Sequence, residues 1–304
     1  MKPAELNRVI CAMVRVYIAN GNRGDRKKAR LKHLLETWTL EQYLAETERL
    51  LGFSLRRAPS ESGTLNTQLS TLNSPRHTHI GVYPQKQTGL NYIGVAMPVG
   101  QITPKQMLRV AEIADLYGSG EIRLTVWQNF IIPNVPDSYV ETVKKALVKA
   151  GMHWQQSNLR SGLIACTGST YCKYAQAHTK ENGLALADYL DKRITLDQPV
   201  NIHFTGCPNS CAQHYMGDIG LLGTRAKVMG ESVDGYHVFV GGGFGSHQAV
   251  GRQVFTGVAF EDLKLTVEKM LRGYLRHRSE GESFQAFTAR HDLNTLQAIF
   301  SNEE

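Results

Sequence analysis

The sequence predicts an α+β fold in three parts: a helical N-terminal segment, a small βαββαβ module and a larger mixed domain that carries two pairs of cysteines. Three observations predict it. Apolar residues recur at helical spacing over residues 1–52, the period turns strand-like from Ile80, and strands then alternate with capped helices. At 304 residues the chain can bury a substantial core and hold more than one domain.

In the first segment, residues 1–58, Val9, Ile10, Met13, Val14 and Tyr17 recur at helix spacing. "RKKARLKHLLETW" and "LEQYLAETERLL" continue the pattern after the break "GNRGDR". Cys11 lies alone on this apolar stripe and is expected to be a buried core residue. Residues 58–76, poor in apolar side chains and rich in Ser, Thr and Asn, read as a linker.

Beyond the linker, "IGVYP" and "NYIGVAMPV" read as strands. Thr103 caps a helix that starts at Pro104 and closes at Gly118. "EIRLTV" and "NFIIPNV" follow as strands, Asp137 opens the helix "SYVETVKKALVKA", Gly151 ends it, and "SGLIAC" is a last strand. The order strand, helix, strand, strand, helix, strand is that of a ferredoxin-like unit reaching to about residue 165, its half-domain proper spanning 77–150. The next domain, 158–300, holds the helix "AQAHTKENGLALADYL", the strands "VNIHF" and "YHVFVGGG", and helices from Glu261 onward.

A hydrophobic share of 42% and a charged share of 20% exclude wholesale disorder. Glu5, Arg8 and Arg15 interrupt every apolar run near the start, so neither signal peptide nor membrane span is predicted, and a cytoplasmic location with reduced thiols is expected. The net charge of +7 points to an anionic partner. The basic run Arg23 to Lys32 has no aromatic stacking platform beside it, which favours a solvated helix face or contact with an acidic partner protein over nucleic acid. "GGGFG" at 241–245 lacks dinucleotide-fingerprint spacing, so no nicotinamide-binding domain is predicted.

The remaining cysteines fall into "CTGSTYC", Cys166 and Cys172, and "CPNSC", Cys207 and Cys211, each pair following a strand. Four cysteines in a reducing compartment read as metal ligands rather than disulfides. Pro208 suits a first helical position, which would set Cys207 just before a helix and Cys211 one turn on. Free N–H groups at that helix start would favour thiolate charge by roughly 0.3–1 kcal/mol. Gly206 would allow close backbone approach, and Asn209 and Ser210 would cap. Zinc accepts the three-residue gap but not readily the five-residue one, so an iron–sulfur cluster is favoured beside it.

"LIACTGSTYC", followed by "FTGCPNSCAQ" and "DIGLLGT", resembles the cluster-binding signature of the sirohaem-dependent nitrite and sulfite reductases. "GNRGDRKKARLKHLLE", "HIGVYPQKQTGLNYIGVAMPVGQIT" and "RLTVWQNFIIPNV" are similar to this family too, and Ser210 is closer to the ferredoxin-type nitrite reductase pattern. The resemblance implies a [4Fe–4S] cluster on Cys166, Cys172, Cys207 and Cys211, with Cys211 shared with the sirohaem iron. It implies six-electron reduction of nitrite to ammonia with ferredoxin or a similar donor, and no nucleic-acid or membrane partner. Arg123, Thr125, Gln128, Asn129 and Asn209 are its candidate sirohaem contacts, with His77, Lys86 and Gln87 weaker ones. Sulfite reductase, a precorrin-3B synthase-like protein and a non-catalytic cluster-bearing electron-transfer subunit are the alternatives.

The resemblance covers only the later half of the family's two-part pattern. The substrate-binding Arg and Lys are expected in an earlier half, either lost by truncation or supplied by a separate subunit. On its own the chain is expected to hold a cluster weakly and to lack turnover.

Overall fold

The computed structural model describes residues 5–22, 24–25, 29–35, 37–56, 79–244 and 248–301. The linker read at 58–76, His77 and part of the basic run, including Arg23 and Arg26, lie outside them. The chain divides into two compact units, Met1–Thr71 and Leu72–Glu304. Among the described residues no helix is long and apolar enough to cross a membrane.

The first unit contains α1 (Leu6–Asn20), α2 (Leu31–Leu34) and α3 (Leu40–Leu51). Thr39 and Gln42 form a reciprocal capping box at the start of α3, and Gly52 ends it at φ 75°. The buried stripe of α1 is Val9, Ala12 and Val16, and the Tyr43 hydroxyl donates to the Met13 carbonyl at 2.7 Å. Cys11 is exposed, against expectation. It follows Val9 by two residues, about 200° around the helix, while Ile10 and Val14 also face outward.

In the second unit, β1 (Gly81–Pro84), β2 (Leu90–Val95), β3 (Arg123–Leu124) and β4 (Phe130–Pro136) form an antiparallel sheet in the order β1-β2-β4-β3. Helices α4 (Pro104–Tyr117) and α5 (Val140–Lys149) pack Val110, Ile113, Val143 and Leu147 with Ile93, Phe130 and Ile132 of the sheet. The Thr103 cap, Pro104 start and Gly118 stop stand as read. β3 is only two residues long, because the Thr125 N–H and hydroxyl turn back onto the Asn129 carbonyl and close a tight loop.

The ferredoxin-like order is altered at its last strand. β5 (Leu163–Ala165) leaves this module and pairs parallel with β6 (Ile202–Thr205). β1 takes the vacated edge beside β2, and after α5 only the single bridge between Ala96 and His153 remains. All three β5 residues are buried, the pattern of a parallel strand covered on both faces rather than of one with a solvent-facing side.

The second sheet runs β5-β6-β7-β8-β9, with β7 (Ile219–Val228) parallel to β6, and β8 (Glu231–Val240) and β9 (Arg252–Ala259) antiparallel beyond it. Helix α6 (Thr179–Asp191) links β5 to β6, and α7 (Phe260–His277), α8 (Phe284–Ala289) and α9 (Leu293–Ser301) close the chain. Leu186, Leu190, Ile202, Phe204, Tyr236, Val267 and Leu271 share one core, with the Phe204 and Tyr236 rings edge to face at 5.3 Å.

Every side chain of β6 is buried, including His203. Its Nδ1 donates to the Ala212 carbonyl at 2.8 Å, and burial pulls its pKa down to about 4. Between that value and the ordinary 6.5 the unfolded chain holds the proton and the folded chain does not, so stability rises with pH across this window. The shift corresponds to about 3 kcal/mol, present above pH 6.5 and lost as pH falls to 4. Urea unfolding of the metal-free chain should therefore weaken over this range, with a shallower slope in His203→Gln. Equal slopes in the two proteins would contradict a buried neutral His203.

Candidate functional site

The parallel pair β5 and β6 ends in step, with Ala165 opposite Phe204. Cys166 extends the ladder by one bond, its N–H donating to the Phe204 carbonyl at 3.0 Å. The chain after β5 then folds back: Gly168 at φ 75° accepts from the Cys172 N–H, and the Ser169 N–H donates to the Ala177 carbonyl. Both cysteine loops therefore leave the same edge of the sheet.

They also touch. The Gln176 N–H donates to the Gly206 carbonyl at 2.7 Å, and the Gly206 N–H donates to Cys166 Sγ at 3.1 Å. A Cβ on Gly206 would lie 2.6 Å from the Ala175 Cβ, so the approach requires glycine there. Cys207 is buried, Cys166 and Cys172 are half-buried, and Cys211 is exposed. Among the described residues no three His, Cys, Asp or Glu side chains are gathered tightly enough to hold a single metal ion. A cube of irons and sulfides needs its four thiolates spread wider than one ion does.

The helix expected from Pro208 is absent. Residues 207–213 form two successive turns, Ser210 N–H to the Cys207 carbonyl at 3.1 Å and Gln213 N–H to the Ser210 carbonyl at 2.8 Å. Ser210 and Gln213 both sit at φ 55°, which no right-handed helix tolerates. The Ser210 hydroxyl bonds His214 Nδ1 at 2.9 Å instead of capping. A helix start does meet a thiol, but at Cys166 through α6. There Thr179 Oγ1 donates to the Cys166 carbonyl at 2.8 Å and stands 3.6 Å from its Sγ.

Cys211 opens onto a cavity of about 460 Å³ lined also by Trp127, Gln128, Ile164, His203 and Phe244. Trp127 meets the His203 ring edge-on at 6.0 Å and that of Phe244 at 5.5 Å. Several buried polar atoms around the two loops have no hydrogen-bond partner: His203 Nε2, His214 Nε2, Thr205 Oγ1 and Ser169 Oγ. Such atoms are costly unless something bound satisfies them. A larger cleft, about 1160 Å³ and lined by Lys144, Trp154 and Arg160, contains none of the cysteines.

Of the residues read as cofactor contacts, the structure brings Gln128 and Cys211 to one cavity. The Gln128 amide is also a clamp, donating to the Ala165 carbonyl at 2.8 Å and accepting from the Ala165 N–H at 3.1 Å. The others do not line this cavity. Arg123 is exposed and paired with Glu121 at 2.9 Å, and Thr125 closes the β3–β4 turn. Asn129 is buried, its side-chain oxygen accepting from the Met97 N–H at 2.9 Å. Asn209 is exposed on its turn, and Lys86 and Gln87 are exposed between β1 and β2.

Sequence reasoning missed Trp127, His203, Phe244 and the α6 pair Thr179 and Lys180. Trp127 stood within the quoted "RLTVWQN" and His203 within "VNIHF", but an indole or imidazole inside an apolar run is an ordinary core residue by pattern alone. Nothing local marks "HTKEN" as facing a thiol.

Comparison with known proteins agrees with this geometry. Residues 83–150 match the nitrite/sulfite reductase ferredoxin-like half domain, and residues 1–55 and 157–303 match the nitrite and sulphite reductase 4Fe-4S domain. The chain is 37% identical over 260 residues to a ferredoxin–nitrite reductase of Synechococcus elongatus, covering 86% of this chain and 49% of that one. It is 37% identical over 278 residues to a chloroplastic ferredoxin–nitrite reductase of Spinacia oleracea, covering 89% and 46%. The solved structure of the Mycobacterium tuberculosis NirA protein superposes with a TM-score of 0.84 at 31% identity, covering 96% of this chain and 53% of that one. The chain thus spans about half the length of the relatives it matches. Two thiol loops crossing at the shared end of β5 and β6, with both domain matches spanning the same fold, establish that the chain belongs to the nitrite and sulfite reductase family.

Proposed function

We propose that this chain is the cluster- and sirohaem-bearing part of an enzyme that reduces nitrite to ammonia with six electrons from ferredoxin or a similar donor. The observation that carries the reading is the contact between the two cysteine loops at Gly206, with Cys211 opening onto the cavity shared by Trp127, Gln128 and His203. In this reading residues 1–58, 77–150 and 158–300 are its helical, ferredoxin-like and cluster-binding parts, and it works in a reducing compartment such as the cytoplasm.

The donor set suits a [4Fe–4S] cluster: four thiols, one already accepting a backbone N–H, around a glycine cradle. Cys166, Cys172, Cys207 and Cys211 would hold it, with Cys211 shared with sirohaem. When bound, these groups supply a one-electron relay and an open iron position for the substrate. The chain's own part is to orient and to exclude. Gln128 fixes Ala165 and so the start of the first cysteine loop, and the Gly206 N–H donates to the sulfur of Cys166. Trp127 and Phe244 wall the cavity with apolar rings. Nitrite itself is left to side chains beyond this sequence, whether on the same polypeptide or on a separate subunit.

Anaerobic reconstitution with iron and sulfide in large excess, which offsets the weak retention expected of the chain alone, should give the broad visible absorbance of a cluster and approach about four irons per chain. Ser in place of any of the four cysteines should lower both, and Cys11→Ser should not. Retention of the cluster by the Cys207→Ser, Cys211→Ser double variant would overturn the ligand set. Sirohaem uptake should fall in Cys211→Ser. With both groups loaded and the first half of the Synechococcus relative added, ammonia should form from nitrite in the ratio of one to six electrons; none forming would refute the function.

Replacing Gln128 by Ala removes two partly buried bonds to Ala165 and should cost about 1–3 kcal/mol of stability, read as a lower urea midpoint. Cluster retention should fall with it. Unchanged iron content and midpoint would show that the clamp is dispensable.

A further inference from the structure

Lys180 lies half-buried in the first turn of α6, directly after Thr179. Its ammonium donates to two backbone carbonyls, that of Val99 and that of Ala165, the latter at 3.5 Å. Among the described residues Lys180 forms no ion pair within 4.0 Å, and the attraction of Glu181 for its charge is weaker than that of Cys166. The neighbouring Glu181 is occupied elsewhere, accepting from the Thr170 hydroxyl at 3.1 Å.

The carbonyl cage is built at a conformational cost. Val99, 1% exposed, sits at φ 47° and ψ 33°, a left-handed conformation that a β-branched residue rarely adopts. The turn holding it, Pro98–Gly100, packs against the backbone-clamping Gln128, which itself sits at φ 58°. This turn aims the Val99 carbonyl at Lys180. Ala165, the second carbonyl, is the residue immediately before Cys166.

A desolvated cation without a counter-ion is unfavourable. Burial pulls the Lys180 pKa below the usual lysine range, and charge on Cys166 opposes that pull. The fold therefore holds a positive charge beside one thiol, at a helix start that adds its own positive end. An anion at the cysteine loops would compensate it.

We propose that Lys180 sets the reduction potential of the iron–sulfur cluster, its charge favouring the reduced state from a fixed position beside Cys166. The inference rests on the cluster reading above and names a role that neither the ligands nor the cavity wall carry. One-electron reduction adds a negative charge to the cluster and transfers no proton, so a nearby cation favours that state and raises the potential.

The test is a redox titration of the anaerobically reconstituted chain with dithionite, followed by electron paramagnetic resonance, with iron content measured alongside. Lys180→Gln should keep the cluster and shift its midpoint to more negative potential, while Lys180→Arg stays near the unsubstituted chain. Equal midpoints for Lys180→Gln and the unsubstituted chain would overturn the proposal. So would loss of cluster in Lys180→Arg as complete as in Lys180→Gln, since the residue would then serve packing rather than charge. Loss in Lys180→Gln alone would also overturn it, since the charge would then serve to retain the cluster rather than to set its potential. Failure of the unsubstituted chain to take up iron would instead refute the cluster reading, and this inference would fall with it.

Discussion

The site depends on the in-step ending of two adjacent parallel strands. β5 and β6 pair through Leu163–Ala165 and Ile202–Phe204; Cys166 directly follows β5, and Cys207 stands two residues beyond the end of β6 at Thr205. Parallel strands carry their following loops to one edge, which is where α/β sheets bind ligands. Gly206 then lets the loops approach until a backbone N–H reaches the sulfur of Cys166. Any larger residue there would push Ala175 away and separate the loops.

Around that crossing the buried polar groups are unevenly satisfied. His203 is held neutral by burial, with one nitrogen bonded to the turn after Cys211 and the other without a partner. Lys180 donates to two backbone carbonyls, those of Val99 and Ala165. The asymmetry places positive charge on the Cys166 side, while the cavity at Cys211 is walled by Trp127, His203 and Phe244. The ferredoxin-like module reaches into this arrangement through one loop, where Gln128 clamps Ala165 and Trp127 lines the cavity.

Where reading and structure differ, longer-range contacts outweighed a local signal. Pro after Cys207 is a sound helix-start signal, yet the bond from Ser210 to His214 and two left-handed residues make turns instead. "SGLIAC" is a sound strand signal, but no local feature says which sheet it joins. The answer lies in a pairing with residues almost forty positions later. Cys11 shared an apolar helix with true core residues, and only the packing of α1 on α3 selected the face that left it outside.

The sequence by itself determined the element types, the capping of α4 by Thr103, and the two cysteine pairs with their family signature, because caps, periodicity and ligand spacing are local properties written in consecutive residues. Tertiary structure alone decided that β5 leaves its module, that a helix start meets Cys166 rather than Cys207, and that Lys180 stands beside a thiol. Those outcomes depend on strand pairing and on contacts between residues far apart in the chain, and such energies have no local pattern from which they could be read.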